Sequence, residues 1–373
     1  PYTRQAEFLR AKLVNLNLPH DQAINRLSRF PADHPSKIAA KLEIVRHSYL
    51  QWQSAHRRGN QDLEETSWEQ LTSAVEAVLT AESADDADRM DARMRLAGAK
   101  VLRSTSTKDD IIATLDSIGE TLEGSFDDSN PANLQSGMAT RSQSLAKELR
   151  FHRFHAALRF SDYQAAQTHM AWLGVHANGS PSHRSAVIEM ARSLDERITG
   201  LGKTVPDDTE RQSLLKRAQS VFSELVDLLG ITDNDLNNSS NARVAFARLA
   251  ELKLELGQAE QSATMASRLV EMFPKRKNYR LVLARSLQQS KQMKAALPHW
   301  RLLTSAAAAG SQEWYESKLA IVECMHAGGE TESAGKLLKQ TLLLSPEIPA
   351  QWQNRVSELQ AEISRSPGRP SEK

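Results

Sequence analysis

The feature that most constrains this chain is a recurring interval. Gly257 and Pro274 lie seventeen residues apart, Gly329 and Pro346 lie seventeen apart, and between them Lys291 and Ala308 keep the interval without glycine or proline. The implied period is roughly 34 residues, enough for one helix, a turn and a second helix. A unit of that size cannot bury its apolar faces alone, so neighbours must stack into a continuous core. The interval therefore predicts an all-α chain built of stacked antiparallel helix pairs, clearest over residues 241–346. Composition agrees: only 5% of residues are aromatic, and Ala, Leu, Glu, Gln, Arg and Ser dominate the periodic segments. No segment alternates in Val, Ile, Thr and aromatics as a strand would.

Residue by residue, these units resemble the tetratricopeptide repeat (TPR), which places a small residue in the middle of its first helix, a turn glycine, an alanine in its second helix and a closing proline. In the first unit Ala250, Gly257 and Pro274 hold those places, while Ser262, Ala266 and Leu269 stand where the family prefers alanine, an aromatic and alanine. The second unit supplies Ala284, Ala296 and Trp300, and the third Trp314, Gly329, Ala334, Leu338 and Pro346. The resemblance implies a right-handed α-α superhelix, a TPR-like solenoid.

Residues 6–35 show a further unit of this kind, with Ala11, Ala23, Leu27 and Pro35, its turn made by Leu18, Pro19 and His20. Apolar positions three and four apart then predict a helix over 36–58 (Ile38, Leu42, Val45, Tyr49, Trp52), another through Leu63, Trp68, Leu71, Val75 and Leu79, and a third over 87–103. Thr107 with Asp109 and Asp110 marks a helix start. Residues 124–131 and 200–208 read as connections. The chain thus divides into a degenerate helical array (1–230), a polar linker loop (231–240), three TPR-like repeats (241–346), a capping helix (347–364) whose Trp352, Val356, Leu359 and Ile363 cover the last repeat, and a disordered tail (365–373).

Charge and motifs exclude more than they assign. A formal net charge of +1 provides no field for steering nucleic acid, and no apolar run approaches the ~20 residues of a membrane span. The single cysteine, Cys324, rules out an internal disulfide and reads as a core filler. Gly200, Gly202, Lys203 and Thr204 echo a phosphate loop, but Arg197 replaces its first glycine and a helix precedes it. Asp233, Asp235 and Asn237 have calcium-loop spacing without the turn glycine or the bidentate glutamate. Basic and aromatic residues interleave from Arg150 to His155, yet Phe151, Phe154 and Leu158 share one helix face, so packing with a basic flank explains them; His152 and His155 supply at most half a zinc site. Lys275, Arg276, Lys277 and Arg280 read as a solvated turn. No nucleophile with a base, carboxylate pair or ligand cluster emerges, so we expect no catalytic residue, metal or cofactor.

What remains is a surface. In TPR arrays the first helices line a concave groove that holds peptides, and the resemblance carries that role to Val244, Ala247, Glu251, Leu254 and Glu255 in the first unit and to Asn278, Leu281, Arg285, Gln288 and Gln289 in the second. Glu316, Leu319 and Glu323 follow in the third, where extra residues between Ala308 and Trp314 and before Gly329 slip the register by about one. Family members that grip a terminal carboxylate use lysine, asparagine and arginine at these places; Ala247, Glu251 and Leu281 occupy most of them here. The expected function is a non-enzymatic scaffold for a protein or peptide partner. The alternative is a C-terminal regulatory or accessory region of a larger enzyme, sensor or secretion or assembly system. Phe8, Leu9, Leu13 and Leu16 give the first helix more apolar surface than one partner helix buries, which predicts packing against repeats upstream of Pro1.

Overall fold

The computed structural model describes residues 8–9, 18–31, 33–123, 137–201, 208–344 and 348–365. Ala11, Leu13, Leu16, the connection 124–131, Gly202 to Thr204, Pro346 and residues 366–373 of the tail lie outside the described residues. Among the described residues every regular element is a helix. Contacts divide the chain into two units, Pro1–Met190 and Ala191–Lys373, with the division inside one helix.

The first unit holds α1 (His20–Ser28), α2 (Lys37–Arg58), α3 (Gln61–Leu79), α4 (Asp86–Leu102), α5 (Lys108–Glu123), α6 (Gly137–Arg159), α7 (Tyr163–His176) and the start of α8 (Pro181–Leu201). Helices begin where side chains can take up free amides: Asn60 accepts from Leu63, Asp85 and Asp88 form a capping box, Thr107 accepts from Asp110, and Asp162 accepts from Ala165. From α1 to α7 each helix packs on the next, and α2 also on α4, α4 also on α6. That second set of contacts turns a string of hairpins into a stack. Val45, Trp52, Leu71, Val75 and Val78 form one core cluster, and Met94, Val101, Ile111, Leu115, Ile118 and Leu149 form the next. Trp52 is fully buried, consistent with its place in the periodic pattern.

The second unit continues with α9 (Asp208–Leu229), α10 (Asp233–Asn238), α11 (Ser240–Glu255), α12 (Ala259–Met272), α13 (Lys277–Gln289), α14 (Met293–Ser305), α15 (Gln312–Ala327), α16 (Thr331–Leu344) and α17 (Ala350–Arg365). The polar stretch 231–240 is not an open linker loop: it folds as the short helix α10, because Thr232 and Asp235 form a capping box and Leu236 is fully buried against Phe246 and Leu269. Asp233 and Asp235 therefore sit in a helical first turn, Asp235 accepting from Thr232, and not in a cation loop. The small residues of the period all lie where helices meet, with Ala250 at 1% exposure and Ala284, Ala296 and Ala334 at 0%. Ser262, which departs from the family's alanine, is also fully buried: its hydroxyl lies 2.7 Å from the Ala250 carbonyl on α11 and 2.7 Å from the hydroxyl of Ser286, which itself lies 2.7 Å from the Val282 carbonyl on α13. Helix α17 packs on α15 and α16 through Val356 and Leu359. Cys324 is buried near Met293, and burial pushes its thiol up to about 11, as a core filler requires.

One turn recurs in both units. At Gly59, Ser161, Gly230, Gly257, Lys291 and Gly329 the backbone takes positive φ, from 55° to 88°, and the amide that follows reaches back five residues to close the helix. Only four of the six carry the glycine that advertises such a turn.

Candidate functional site

The groove residues expected from the sequence lie on α11 and α13, with the further three on α15. On α11 Val244 is 66% exposed, Ala247 is half-buried against the Phe246 cluster, and Leu254 is half-buried. On α13 Asn278 and Gln289 are exposed and Leu281 is half-buried. Leu319 is buried against Val356 and Leu359, so it belongs to the core and offers nothing to a partner.

The charged members of this set are not free. Arg248 donates to Asp195 at 2.6 Å and to Glu251 at 2.9 Å, and Glu255 accepts from Arg211. Burial alone would lower the pKa of Arg248, but the surrounding carboxylates outweigh it and raise it. Arg285 donates to Glu316 at 2.6 Å and Gln288 to Glu323 at 2.5 Å; Glu323 accepts in turn from Arg355 on α17 at 2.7 Å. Rungs of paired polar groups thus join α11 to α8 and α9, α13 to α15 and α15 to α17, and Arg248, Arg285 and Arg355 are already occupied by carboxylates of the same chain.

The same construction appears in the first unit, where sequence reasoning assigned no site. Arg95 on α4 donates to Glu148 on α6 at 2.6 Å, His152 lies 3.7 Å from the same carboxylate, and His155 lies 3.2 Å from Glu189 on α8. Burial would raise the Glu148 pKa, but the hydrogen bond from His152 and the charge of Arg95 lower it. Gly98 makes this possible: a Cβ there would stand 2.6 Å from the His152 ring. A glycine inside a helix costs about 1 kcal/mol against alanine, so its presence in α4 was the available signal. In the second unit the signal is different, because three of the pairs fall close to one repeat apart, at separations of 31, 35 and 32 residues.

The other motifs resolve as structure. Phe154 is buried and Arg153 donates to Asp116 at 2.9 Å, while the Arg150 guanidinium lies 5.3 Å over Trp172, so this basic flank is engaged by the fold. In the turn before α13, Lys277 and Arg280 donate to the carbonyls of Ala306 and Pro274, and Lys275 and Arg276 are exposed. Among the described residues no three metal-ligating side chains come together, and no helix is long and apolar enough to cross a membrane. Pro298, which the sequence reading passed over, lies inside α14, where it removes one helical hydrogen bond.

No family model matches the chain, and no curated protein matches it. Among solved structures it is similar to a tetratricopeptide repeat protein from Parabacteroides merdae, at 12% identity, 85% coverage of this chain and 99% of that one, with a TM-score of 0.32. It is also similar to the TPR domain of P58(IPK), at 12% identity and coverages of 97% and 88%, with a TM-score of 0.27. The helix-pair architecture stands on the packing and turns described above.

Proposed function

We propose that this protein is a non-enzymatic interaction scaffold whose first-helix face over α11 and α13 holds an extended peptide segment of a protein partner. The observation that carries the reading is the contrast on that face between closed and open positions. Its arginines and glutamates are paired, leaving Val244 exposed on α11, Ala247, Leu254 and Leu281 half-buried along α11 and α13, and the amides of Asn278 and Gln289 exposed on α13. An apolar anchor flanked by amides suits a peptide whose backbone bonds to Asn or Gln and whose one large side chain packs on Val244. A terminal carboxylate has no unpaired arginine to meet there.

A phage-displayed library of random peptides, selected on the purified chain, tests this. Enriched peptides should carry an apolar anchor, and Val244→Glu should weaken them about tenfold, the loss of one well-packed anchor contact. Leu302→Glu, on the exposed side of α14, should leave them unchanged. Equal losses from both substitutions, or a library that never enriches, would overturn the proposal.

A further inference from the structure

Between α5, α6 and α7, inside the first unit, lies a cavity of about 310 Å³. It exists because the floor is made of small side chains, Ala156 and Ala157 on α6, and because Ala165 narrows nothing on the α7 side. Ile112, Leu115 and Phe160 complete apolar walls, Leu115 buried and Ile112 40% exposed. The volume stands at the small end of the range of about 300–1,000 Å³ that holds small ligands.

The charges around it are unequal in availability. Arg153 is bound to Asp116, and Asp162 is engaged as the N-cap of α7, accepting from the amide of Ala165. His169 contributes an uncharged wall: its own burial, then Arg150 and Arg153, bring its pKa down to about 4. Lys108 is the remaining charge. Its side chain is exposed at the start of α5, and its ammonium stands 5.9 Å from the centre of the Phe160 ring, which places the cation on the wall of the cavity.

We propose that this cavity binds a small amphiphilic carboxylate, its apolar tail against Ala156, Ala157 and Phe160 and its carboxylate at the Lys108 ammonium. The site lies in the first unit and is independent of the peptide-binding face proposed for α11 and α13. It adds a small-molecule ligand to a chain otherwise read as a scaffold for proteins. The apolar tail supplies most of the affinity and the carboxylate sets the preference, since an exposed ion pair contributes little by itself.

Isothermal titration calorimetry with octanoate, 1-octanol and octylammonium on the full chain decides it. Octanoate should bind saturably and about three- to fivefold more tightly than octanol, the size of an exposed ion pair, and octylammonium should bind weakest. Lys108→Gln should remove the preference for octanoate over octanol while leaving octanol binding unchanged. Ala165→Leu, which fills the cavity from its rim, should weaken octanoate and octanol alike by tenfold or more, about the value of two displaced methylene contacts. Absence of saturable octanoate binding would overturn the proposal. So would an Ala165→Leu variant that melts like the parent and binds octanoate equally well, or a Lys108→Gln variant that keeps the octanoate preference.

Discussion

Between Ser240 and Leu344 the helices of the repeats are 13 to 16 residues long, whereas from Lys37 to Arg159 they run from 16 to 23. The rear region keeps a seventeen-residue interval inside each unit, although its turns at Gly257, Lys291 and Gly329 lie 34 and then 38 residues apart, and so its small residues and turns remain visible. In the front region the helices differ in length and the interval is lost, yet α2, α4 and α6 stack on one another as α11 and α13 do. The stack depends on which faces meet and on how each helix pair turns; uniform length is an additional property that one region has and the other lacks.

The sharpest way to break this comparison is to overfill equivalent helix contacts. Ala296→Phe and Ala334→Phe, both at fully buried positions, should each destabilise by about 1 to 3 kcal/mol, and Ala166→Phe in α7 should cost as much if the front is packed as closely. Calorimetric melting that moves for the rear pair and not for Ala166→Phe would show that the front helices touch more loosely than the rear ones.

Acid should separate the two regions next. The folded-state pKa of His169 is lowered to about 4 from an ordinary 6.5. Above pH 6.5 neither state takes up the proton, between 6.5 and about 4 only the unfolded chain does, and below that both do. Stability should therefore fall as pH drops through that window and then level off, by about 1 to 2 kcal/mol once the ring's partial exposure is allowed for. His169→Gln should flatten this part of the profile in chemical denaturation, and an unchanged slope would place the cause elsewhere.

A smaller effect sharpens the comparison at the turns. Gly329 has open space around its Cβ direction, so Gly329→Ala should cost about 1 kcal/mol from its φ of 88° alone. Lys291→Gly and Ser161→Gly, at the same backbone geometry, should stabilise by up to about 1 kcal/mol. Two substitutions of opposite sign at corresponding positions in neighbouring repeats test the identity of the turns better than either alone. Smallest of all, Arg276→Glu in the exposed turn before α13 should change the melting midpoint by no more than about 0.5 kcal/mol equivalent.

The residues that made the rear repeats legible are those whose constraint is local. Gly257 and Gly329 mark a positive φ, and Ala250, Ala284, Ala296 and Ala334 mark close approach, so each leaves its trace in the letter at one position. Lys291 and Ser161 adopt the same turn without the letter, because the helices on either side impose it. The candidate face shows the same limit. Resemblance placed Glu251, Arg285, Gln288, Glu316 and Glu323 on it, but only packing reveals that Arg285 and Gln288 pair with Glu316 and Glu323, and Glu251 with Arg248. Leu319 shows the reverse: a place that is half-buried at Ala247 and Leu281 is fully buried here by α17. The cavity beside Phe160 left no sign in the sequence, because an unfilled space is made by what several distant alanines omit.

Two protons cannot serve three hydrogen bonds, and that is the situation of the buried hydroxyls of Ser262 and Ser286. Three contacts of 2.7 Å join them to each other and to the carbonyls of Ala250 and Val282. Each hydroxyl has a single proton to give. Either Ser286 donates to Ser262 and Ser262 to Ala250, or Ser262 donates to Ser286 and Ser286 to Val282. Passing between the two needs only concerted rotation of both hydroxyls, with no heavy atom displaced. The core between α11, α12 and α13 thus contains a binary element, and its two settings differ in which repeat owns the end of the chain of hydrogen bonds.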